Sequence, residues 1–408
     1  MKRSVVITGL GPLTSLGIGK DTFWEALVHG KSGIRKISSF DTAHLRSHIA
    51  GEINGFDPVE YIDRKEAVIM DRVCHFSIAA AELAVRDSGI RLDKDAGIVV
   101  GTGLGGIITD DAQHQIYHTK GYRFVHPLSI PMSMNNASAC HISQRFGIKG
   151  PGFTVSTACS AGTHAIGEAY RLIRDGYADV NIAGGSEATL SQGIFSAWCG
   201  MRILSRRNDT PERACRPYSK DRDGMVLGEG AGFVILEELS HALKRDAPIY
   251  AEIIGYGSSY DASHLTAPDA HGQALAIERA IREAGIGPEE VNYINGHGTG
   301  TSLNDKVETD SAKMIFGQSV YSIPMSSIKP QIGHTLGASG ALGLIASCLS
   351  LRDNLMPATI NYTEPDPECD LDYVPNTARK ADLNIVMSNS FGFGGNNGVL
   401  LIRRVKQN

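Results

Sequence analysis

The stretch Ala81-Glu-Leu-Ala-Val-Arg-Asp-Ser-Gly-Ile90 is followed, after a turn, by Ile98-Val-Val-Gly-Thr-Gly103. The same pattern returns in the second half of the chain as Ile277-Glu-Arg-Ala-Ile-Arg-Glu-Ala-Gly-Ile286 and Tyr293-Ile-Asn-Gly-His-Gly298. Each copy is typical of an amphipathic helix that stops at glycine, followed by a short apolar strand ending in Gly-x-Gly. A repeated helix–strand unit predicts a fold built twice on one α/β plan.

The segment upstream of each copy repeats as well, since Val5-Val-Ile-Thr-Gly-Leu-Gly11 is echoed by Glu252-Ile-Ile-Gly-Tyr-Gly257. We therefore expect two halves, residues 1–250 and 251–408, that join where Pro248 follows the end of a helix. The first half carries an insertion of about fifty residues before the repeated helix. Strands alternating with helices predict mixed, mostly parallel sheets buried on both faces. Chance similarity of two common helix–strand units is the alternative.

Composition excludes several classes of protein. The chain has 408 residues and a formal net charge of −5, and its basic residues form no cluster of the kind that nucleic-acid binding requires. Its seven cysteines are scattered without a Cys-x-x-Cys pair, which argues against a zinc or redox motif and fits a reducing cytoplasm. No apolar run is long enough to span a bilayer.

One of these cysteines has the setting of a nucleophile. Cys159 lies in Ser156-Thr-Ala-Cys-Ser-Ala-Gly162, directly before a stretch from Gly162 to Arg174 that is patterned as a helix. A thiol at a strand-to-helix corner is free of steric cover and faces the start of a helix, whose dipole favours the thiolate. A small buried hydrophobe is the alternative interpretation of a lone cysteine.

Three later segments carry further polar groups between glycines. His297 lies in Asn-Gly-His-Gly-Thr-Gly-Thr, and His334 follows Lys329 by five residues in Ser-Ser-Ile-Lys-Pro-Gln-Ile-Gly-His. The third segment, Asn389-Ser-Phe-Gly-Phe-Gly-Gly-Asn396, is a glycine-rich loop. A lysine beside an imidazole disfavours its protonated form, so both histidines are expected to stay neutral.

These four clusters, in this order, resemble those of the β-ketoacyl-acyl carrier protein synthases, and the resemblance runs from Val5 to Ile402. It implies a thiolase-like, duplicated, five-layered α-β-α-β-α fold and a homodimer. It also implies a decarboxylative Claisen condensation, in which an acyl-cysteine enzyme and malonyl-acyl carrier protein give 3-oxoacyl-acyl carrier protein during fatty acid elongation. The scheme requires no metal and no organic cofactor.

The resemblance also assigns expected roles. Cys159 carries the acyl group, and neutral His297 and His334 each donate one N–H to the developing enolate oxygen. Lys329 keeps the imidazoles neutral, and Glu308, on a predicted helix, is its counter-charge. The main-chain amides of Cys159 and Phe393 form the oxyanion hole, and the Phe393 ring gates the acyl pocket.

The remaining expected site residues fall into three groups. Thr299 and Thr301 bind the phosphopantetheine arm, unless they only stabilise a turn. Leu104, Trp198 and Ser129 line the acyl pocket, with Ser129 contributed to the partner subunit. An acidic carrier protein would dock on basic residues near the entrance, for which the candidates are Arg64, Lys65, Arg202, Arg206 and Arg207.

Several alternatives remain at this point. Trp198 and Ser129 depart from residues common in the family, so a ketosynthase of a polyketide or aryl-polyene pathway, paired with a chain-length factor, is the second hypothesis. A degradative thiolase would need a second cysteine in the last glycine loop, and a non-enzymatic binding module would leave Cys159 unreactive. Gly101 to Gly106 matches a dinucleotide-binding pattern without its acidic partner, and His114 with His118 lacks a third metal ligand.

Overall fold

A mixed sheet of eleven strands runs through the part of the molecule that the structure, a computed structural model, describes, residues 3–405. The strands are β1 (Val5–Thr14), β2 (Gly17–Ile18), β3 (Arg35–Lys36), β4 (Ile49–Ala50), β5 (Gly97–Gly101), β6 (Gly152–Val155), β7 (Val180–Glu187), β8 (Gly230–Glu238), β9 (Ala251–Tyr260), β10 (Tyr293–Asn295), β11 (Met325–Ser326), β12 (Leu355–Met356), β13 (Arg379–Lys380), β14 (Ile385–Gly392) and β15 (Asn396–Arg403). The α-helices are α1 (Lys20–Val28), α2 (Arg64–Ala67), α3 (Arg72–Ser88), α4 (Ile107–Lys120), α5 (Ser129–Ser133), α6 (Ala137–Phe146), α7 (Ala161–Arg174), α8 (Gln192–Gly200), α9 (Leu239–Lys244), α10 (Ala270–Ala284), α11 (Ser302–Phe316), α12 (Lys329–Ile332) and α13 (Ser339–Asp353).

The strand order repeats itself on the two sides of the centre. On one side of the sheet the strand order is β6-β5-β7-β8-β1, and on the other side it is β11-β10-β14-β15-β9. Neighbours at corresponding positions in the two sets are paired in the same sense, parallel or antiparallel. Among residues 3–405, the two sets of strands pair with each other only where Val5–Ile7 pairs with 251–253. The predicted duplication is therefore a property of the fold, and β1, β5, β6, β7 and β8 correspond to β9, β10, β11, β14 and β15.

The expectation of mostly parallel sheets is wrong. Within residues 3–405, the ladders of the main sheet comprise six antiparallel and four parallel pairs. The reason is that β14 turns directly into β15, and that the long segment between β7 and β8, which includes α8, returns the chain beside β7 in the opposite direction. Antiparallel pairing needs no crossover helix.

Glycines bring the outer helices onto the sheet in the same way in both halves. A Cβ at Gly11 would lie 2.0 Å from the Ala80 carbonyl of α3, and a Cβ at Gly257 would lie 2.0 Å from the Ala276 carbonyl of α10. Both helices end at a glycine in the left-handed region, with φ of 64° at Gly89 and 66° at Gly285, as the sequence predicts. Close helix–strand contact thus depends on the glycines that mark the repeat.

Two helices form the middle layer. α13 is buried from Ser339 through Leu351, and α7 packs against it and against β5 and β7. A helix that is buried on every side must have apolar or small residues all round, as α13 does. Because α3 covers one outer face and α10 with α11 covers the other, the architecture is the predicted five-layered α-β-α-β-α arrangement.

The halves differ most between the first strand and the repeated helix. Residues 15–71 lie between β1 and α3, whereas only residues 261–269 separate β9 from α10. This longer segment carries α1, α2 and the small β3–β4 hairpin. None of the helices described here has both the length and the apolar character needed to cross a membrane.

Candidate active site

Cys159 lies on a short 3-10 turn, Ala158–Ser160, between β6 and α7. α7 begins at Ala161, one residue before the predicted start, and ends at Arg174 as predicted. Ala158 has φ of 52°, a left-handed conformation that a residue with a Cβ adopts only when its surroundings hold it there. The turn therefore places the thiol at the start of α7 in a fixed, strained conformation.

Both predicted histidines converge on this thiol. One ligand-type atom from each of Cys159, His297 and His334 lies within 4.8 Å of the others, and all three residues are buried. The His334 Nε2 is 3.1 Å from the Cys159 sulfur, and the two imidazole rings are 5.3 Å apart in an edge-to-face arrangement. β10 delivers His297, and the loop after α12 delivers His334.

Hydrogen bonds fix the tautomer of each ring. The Leu336 main-chain N–H donates to His334 Nδ1 over 3.3 Å, and the Ser339 hydroxyl lies 3.0 Å from the same atom. The Lys329 ammonium lies 3.4 Å from His297 Nδ1 and also donates to the His297 carbonyl. Since Nδ1 accepts in both rings, a neutral imidazole carries its proton on Nε2. Two N–H donors therefore face the sulfur side of the site.

Electrostatics keep these rings neutral. Burial lowers the pKa of His297 well below its usual 6.5, and the charge of Lys329 and the neighbouring His334 lower it further. Burial and Lys329 likewise lower the pKa of His334 well below 6.5. Because the charged form of a buried imidazole beside a cation is disfavoured, both histidines behave as predicted.

The prediction of a favoured thiolate needs correction. Burial raises the pKa of Cys159 to about 11, whereas the Lys329 charge and the main-chain N–H groups of Phe393 and Cys159 act to lower it. In the resting enzyme, loss of hydration in the closed site therefore raises the pKa of Cys159 by more than its position at the start of α7 lowers it. The main-chain N–H groups of Phe393 and Cys159 nevertheless lie close enough to the sulfur to lower its pKa, which is consistent with their expected place in an oxyanion hole.

Glu308 acts on Lys329 as a counter-charge through space, and no direct ion pair joins the two in the described residues. The Glu308 carboxylate accepts from the N–H groups of His297 (2.7 Å) and Gly298 (2.8 Å) and from the Tyr218 hydroxyl (3.0 Å). Burial lowers the pKa of Lys329, and the Glu308 charge opposes that effect through space. Glu308 therefore holds the turn that bears His297 and affects Lys329 only at longer range.

A cavity of about 410 Å³ opens onto the thiol and both imidazoles. Thr299 and Thr301 line it, and their hydroxyls are 2.9 Å apart. The rings of Trp198 and Phe393 stack against each other in its wall, with centroids 6.1 Å apart. Arg202 lines both this cavity and an adjoining depression of about 240 Å³, which Arg46 and Arg206 also line.

Other predicted residues lie elsewhere in the single chain. Leu104 is 38% exposed and donates its N–H to Glu187, and buried Ser129 donates its hydroxyl to the His126 carbonyl. Neither lines the main cavity. Arg64 and Lys65 are exposed on the short helix α2, and Arg207 is engaged with Asp221 and Asp223. The last pairing leaves Arg207 less able than Arg206 to face a partner.

Sequence reasoning missed several supporting residues. Asp305 accepts the N–H groups of Thr299 (3.0 Å) and Gly300 (3.2 Å), as Glu308 does for the preceding residues. Its spacing of three from Glu308 on one helix face could have indicated it. Nothing in the sequence marks Ser339, which contacts His334 only because the turn before α13 brings it there.

His114 and His118 lie on one helix, α4, as predicted. Gly101 makes the close backbone approach expected of its turn, since a Cβ there would lie 2.3 Å from the Ala161 carbonyl.

Comparison with known proteins agrees with this geometry. Residues 2–242 match the beta-ketoacyl synthase N-terminal domain, and residues 250–363 match the beta-ketoacyl synthase C-terminal domain. The 3-oxoacyl-[acyl-carrier-protein] synthase 2 of Coxiella burnetii is 44% identical over 99% of this chain and 99% of its own. The chain belongs to the beta-ketoacyl synthase family. It is an acyl-transferring condensing enzyme with the thiolase-like fold.

Two solved structures are similar over nearly the whole chain. The ishigamide ketosynthase/chain length factor has a TM-score of 0.94 at 34% identity and covers 100% of both chains. A type II polyketide synthase acyl-carrier protein in complex with its ketosynthase, AntDE:AntF, gives 0.90 at 32% identity, covering 99% of this chain and 100% of that one.

Proposed function

We propose that the enzyme is a β-ketoacyl-acyl carrier protein synthase that elongates fatty acyl chains. The observation that carries this proposal is the convergence of one thiol and two Nε2–H imidazoles on a single cavity. The similarity to 3-oxoacyl-[acyl-carrier-protein] synthase 2 supports the same reaction. A degradative thiolase is less well supported, since the loop from Phe391 to Asn396 has no cysteine.

In the first half-reaction, the Cys159 sulfur attacks the thioester carbonyl of the incoming acyl chain. The carrier thiol leaves with the proton that the cysteine gives up, and an acyl-cysteine remains. Negative charge on the carbonyl oxygen of the tetrahedral intermediate is stabilised by the N–H groups of Cys159 and Phe393. Lys329 and the His334 Nε2–H stabilise the thiolate, which offsets part of its desolvation cost.

In the second half-reaction, malonyl on the carrier protein loses carbon dioxide. The electron pair of the broken bond forms an enolate, whose oxygen accepts from the Nε2–H groups of His297 and His334. Neutral rings suit this step, because an imidazolium would hold the malonyl carboxylate as an ion pair. The enolate carbon then attacks the acyl-cysteine carbonyl, and Cys159 leaves as thiolate, which takes up a proton from solvent to restore the thiol. No cofactor enters this scheme.

We propose an acyl carrier protein as the partner that delivers both substrates. Its acidic surface would meet Arg202, Arg206 and Arg46 beside the cavity, and its phosphopantetheine arm would pass Thr299 and Thr301. Arg64 and Lys65 are candidates for the outer part of the same contact. AntDE:AntF supports the pairing of such a ketosynthase with a carrier protein.

We further propose a homodimer that acts in the cytoplasm. β6 is the last strand of the sheet, and its Phe153 is 43% exposed. Apolar side chains on and after α4 are also exposed, namely Tyr117, Tyr122, Phe124, Leu128 and Ile130. An exposed edge strand beside an apolar surface favours pairing with a second copy, which would also bring Ser129 toward the partner's pocket. All seven cysteines are free thiols in the described residues, which fits the cytoplasm.

A second candidate function keeps the chemistry and changes the chain that is extended. The stacked Trp198 and Phe393 rings give the cavity a flat aromatic wall, which favours a flat, conjugated acyl chain of the polyketide or aryl-polyene type. A chain-length factor would then replace the second identical subunit, as in the ishigamide ketosynthase/chain length factor.

Intact-mass analysis after mixing with acyl-loaded carrier protein tests the proposal. We expect a mass gain of one acyl group on the unmodified enzyme, and on a Cys140→Ala control at an exposed thiol, but not on Cys159→Ala. Offering saturated and conjugated chains in parallel separates the two functions. Labelling that persists in Cys159→Ala would overturn the assigned nucleophile, and cleavage of 3-oxoacyl-CoA by free CoA would favour a thiolase.

A further inference from the structure

A buried carboxylate beside the active site has no part in the chemistry described above. Glu187 ends β7, and none of its surface is exposed to solvent. Burying a carboxylate is costly unless its oxygens are hydrogen-bonded. The residues that satisfy Glu187 therefore indicate what the fold gains from this placement.

Four donors from two separate segments surround this carboxylate. One oxygen accepts from the N–H groups of Gly103 (2.6 Å) and Gly337 (2.9 Å). The other accepts from the Leu104 N–H (3.0 Å) and the Thr102 hydroxyl (3.3 Å). The carboxylate thus joins the turn after β5 to the turn before α13.

The second of these turns controls His334. Leu336, with φ of 44°, is strained, and its N–H donates to His334 Nδ1. Gly337 follows at once and is the residue whose N–H Glu187 accepts. Fixing the Gly337 amide fixes the peptide on one side of Leu336, and with it the donor that holds the His334 tautomer.

We infer that Glu187 is a positioning residue, which anchors the turn after His334 so that the His334 Nε2–H points at the Cys159 sulfur. The inference rests on the proposed function only for what the aligned N–H does in catalysis. Glu187 touches neither substrate nor reacting atoms; it holds His334 through Gly337 and Leu336, and separately, in addition to burial, its charge raises the pKa of Cys159 through space.

Glutamine is the informative replacement because it keeps the size of the side chain. Each carboxylate oxygen of Glu187 accepts two hydrogen bonds. A Gln amide must therefore turn its NH₂ group toward at least one main-chain N–H, whichever way it is oriented. Either both the Gly103 and Gly337 N–H groups or the Leu104 N–H lose their acceptor, whereas the Thr102 hydroxyl can accept from the NH₂ group, and the link between the two turns is weakened.

The matched control lies at the other end of the same pair of strands. Glu237 is also fully buried, and it is bound by Thr8, His241 and Arg245. In the β7–β8 ladder, Glu237 is paired with Val180, the first residue of β7, whereas Glu187 is the last. Glu237→Gln therefore disturbs a buried carboxylate without touching the active-site turns.

Condensation kinetics and histidine tautomers, read by ¹⁵N chemical shifts of labelled His, test the inference together. For Glu187→Gln we expect kcat to fall about 100-fold, since a misplacement of ~1 Å costs that much, with KM changed less than about twofold. The His334 signal, assigned by its loss in His334→Ala, should change from Nε2-protonated to a mixture. Glu237→Gln should show neither change, even where it lowers the melting temperature.

If Glu187→Gln does not fold, Thr102→Val is the replacement test. It removes the hydroxyl that donates to Glu187 and leaves the carboxylate in place. We expect the same changes at smaller size, a few-fold in kcat. An unchanged His334 tautomer in a folded variant overturns the inference, as does a kcat that falls no further than in Glu237→Gln. If the wild-type enzyme shows no condensation, the proposed function fails, while the tautomer measurement still decides the role of Glu187.

Discussion

The two halves of the molecule build the same scaffold and finish it differently. The turn Gly101-Thr-Gly103 after β5 corresponds to Gly296-His-Gly298 after β10. The 3-10 turn Ala158–Ser160 before α7 corresponds to Leu336–Ala338 before α13, and each begins with a residue at positive φ, 52° and 44°. Cys159 therefore has Gly337 as its counterpart, and His297 has Thr102.

The difference shows how one plan yields one active site rather than two. In the second half, the ring of Phe391 lies 6.0 Å from His297 and leaves the imidazole facing the cavity. In the first half, the strand pairing puts Glu187 in the place of Phe391, and its carboxylate binds the Thr102 turn. A Cβ at Gly337 would lie 2.7 Å from a Glu187 oxygen. The position in the first half that corresponds to the active site is therefore occupied by the Glu187 carboxylate. Its hydrogen bonds hold a turn of the active site that the molecule does use.

The largest effect is expected at His297, whose counterpart in the first half is Thr102. His297→Ala removes one N–H donor from the enolate, and we expect condensation to fall by about two to three powers of ten. Acyl transfer to Cys159 does not need this donor, so the mass gain on the enzyme should persist. Product formation and intact mass measured on the same sample check both statements.

Thr102→Ala is the matched change in the first half. It should lower condensation only a few-fold, because Thr102 acts through Glu187. Equal losses in the two variants would show that the halves contribute alike, and would contradict the assigned asymmetry.

The next effect concerns what the halves share. Gly11→Ala and Gly257→Ala each force a methyl group against a helix carbonyl 2.0 Å away. We expect each to lower the free energy of unfolding by at least about 1–3 kcal/mol, as overpacking does. Chemical denaturation of both variants measures this. A Gly257→Ala variant as stable as wild type would contradict the close contact between β9 and α10. Gly200→Ala, at a glycine with open space around it and no positive φ, is the control for a change in backbone freedom alone.

Much of this arrangement could be predicted from the sequence, because glycines and periodic apolar residues report local geometry. The repeat and α7 follow from such signals, and the convergence of Cys159 with two histidines follows from the resemblance of the glycine-bracketed clusters to the β-ketoacyl synthases. The protonation of Cys159 could not be predicted, since it depends on how completely the folded cavity excludes water. Glu187 was missed for a related reason. Its donors come from residues 102–104 and from Gly337, and only the packing of β5, β7 and α13 brings them together.

Removing the lysine tests how the second half keeps its histidines neutral. Lys329 lowers the pKa of both His297 and His334. In Lys329→Met these pKa values should rise, so the imidazoles protonate at a higher pH as the solution is acidified. The acid side of the pH–activity profile should therefore move upward. Lys306→Met, on the exposed face of α11, should leave the profile in place. An unmoved acid limb in Lys329→Met would mean that burial alone sets the two pKa values.

The smallest effect is expected at the surface, where basic residues of the two halves can be compared directly. Arg206 lies beside the cavity mouth in the first half, and Arg279 is exposed on α10 in the second. Arg206→Ala should raise the KM for acyl carrier protein a few-fold at low salt with kcat unchanged, because exposed charges mainly steer encounter. The difference should shrink at high salt through screening. Arg279→Ala should leave KM unaltered, and an equal rise in both variants would mean that net charge, rather than a patch at the entrance, attracts the carrier.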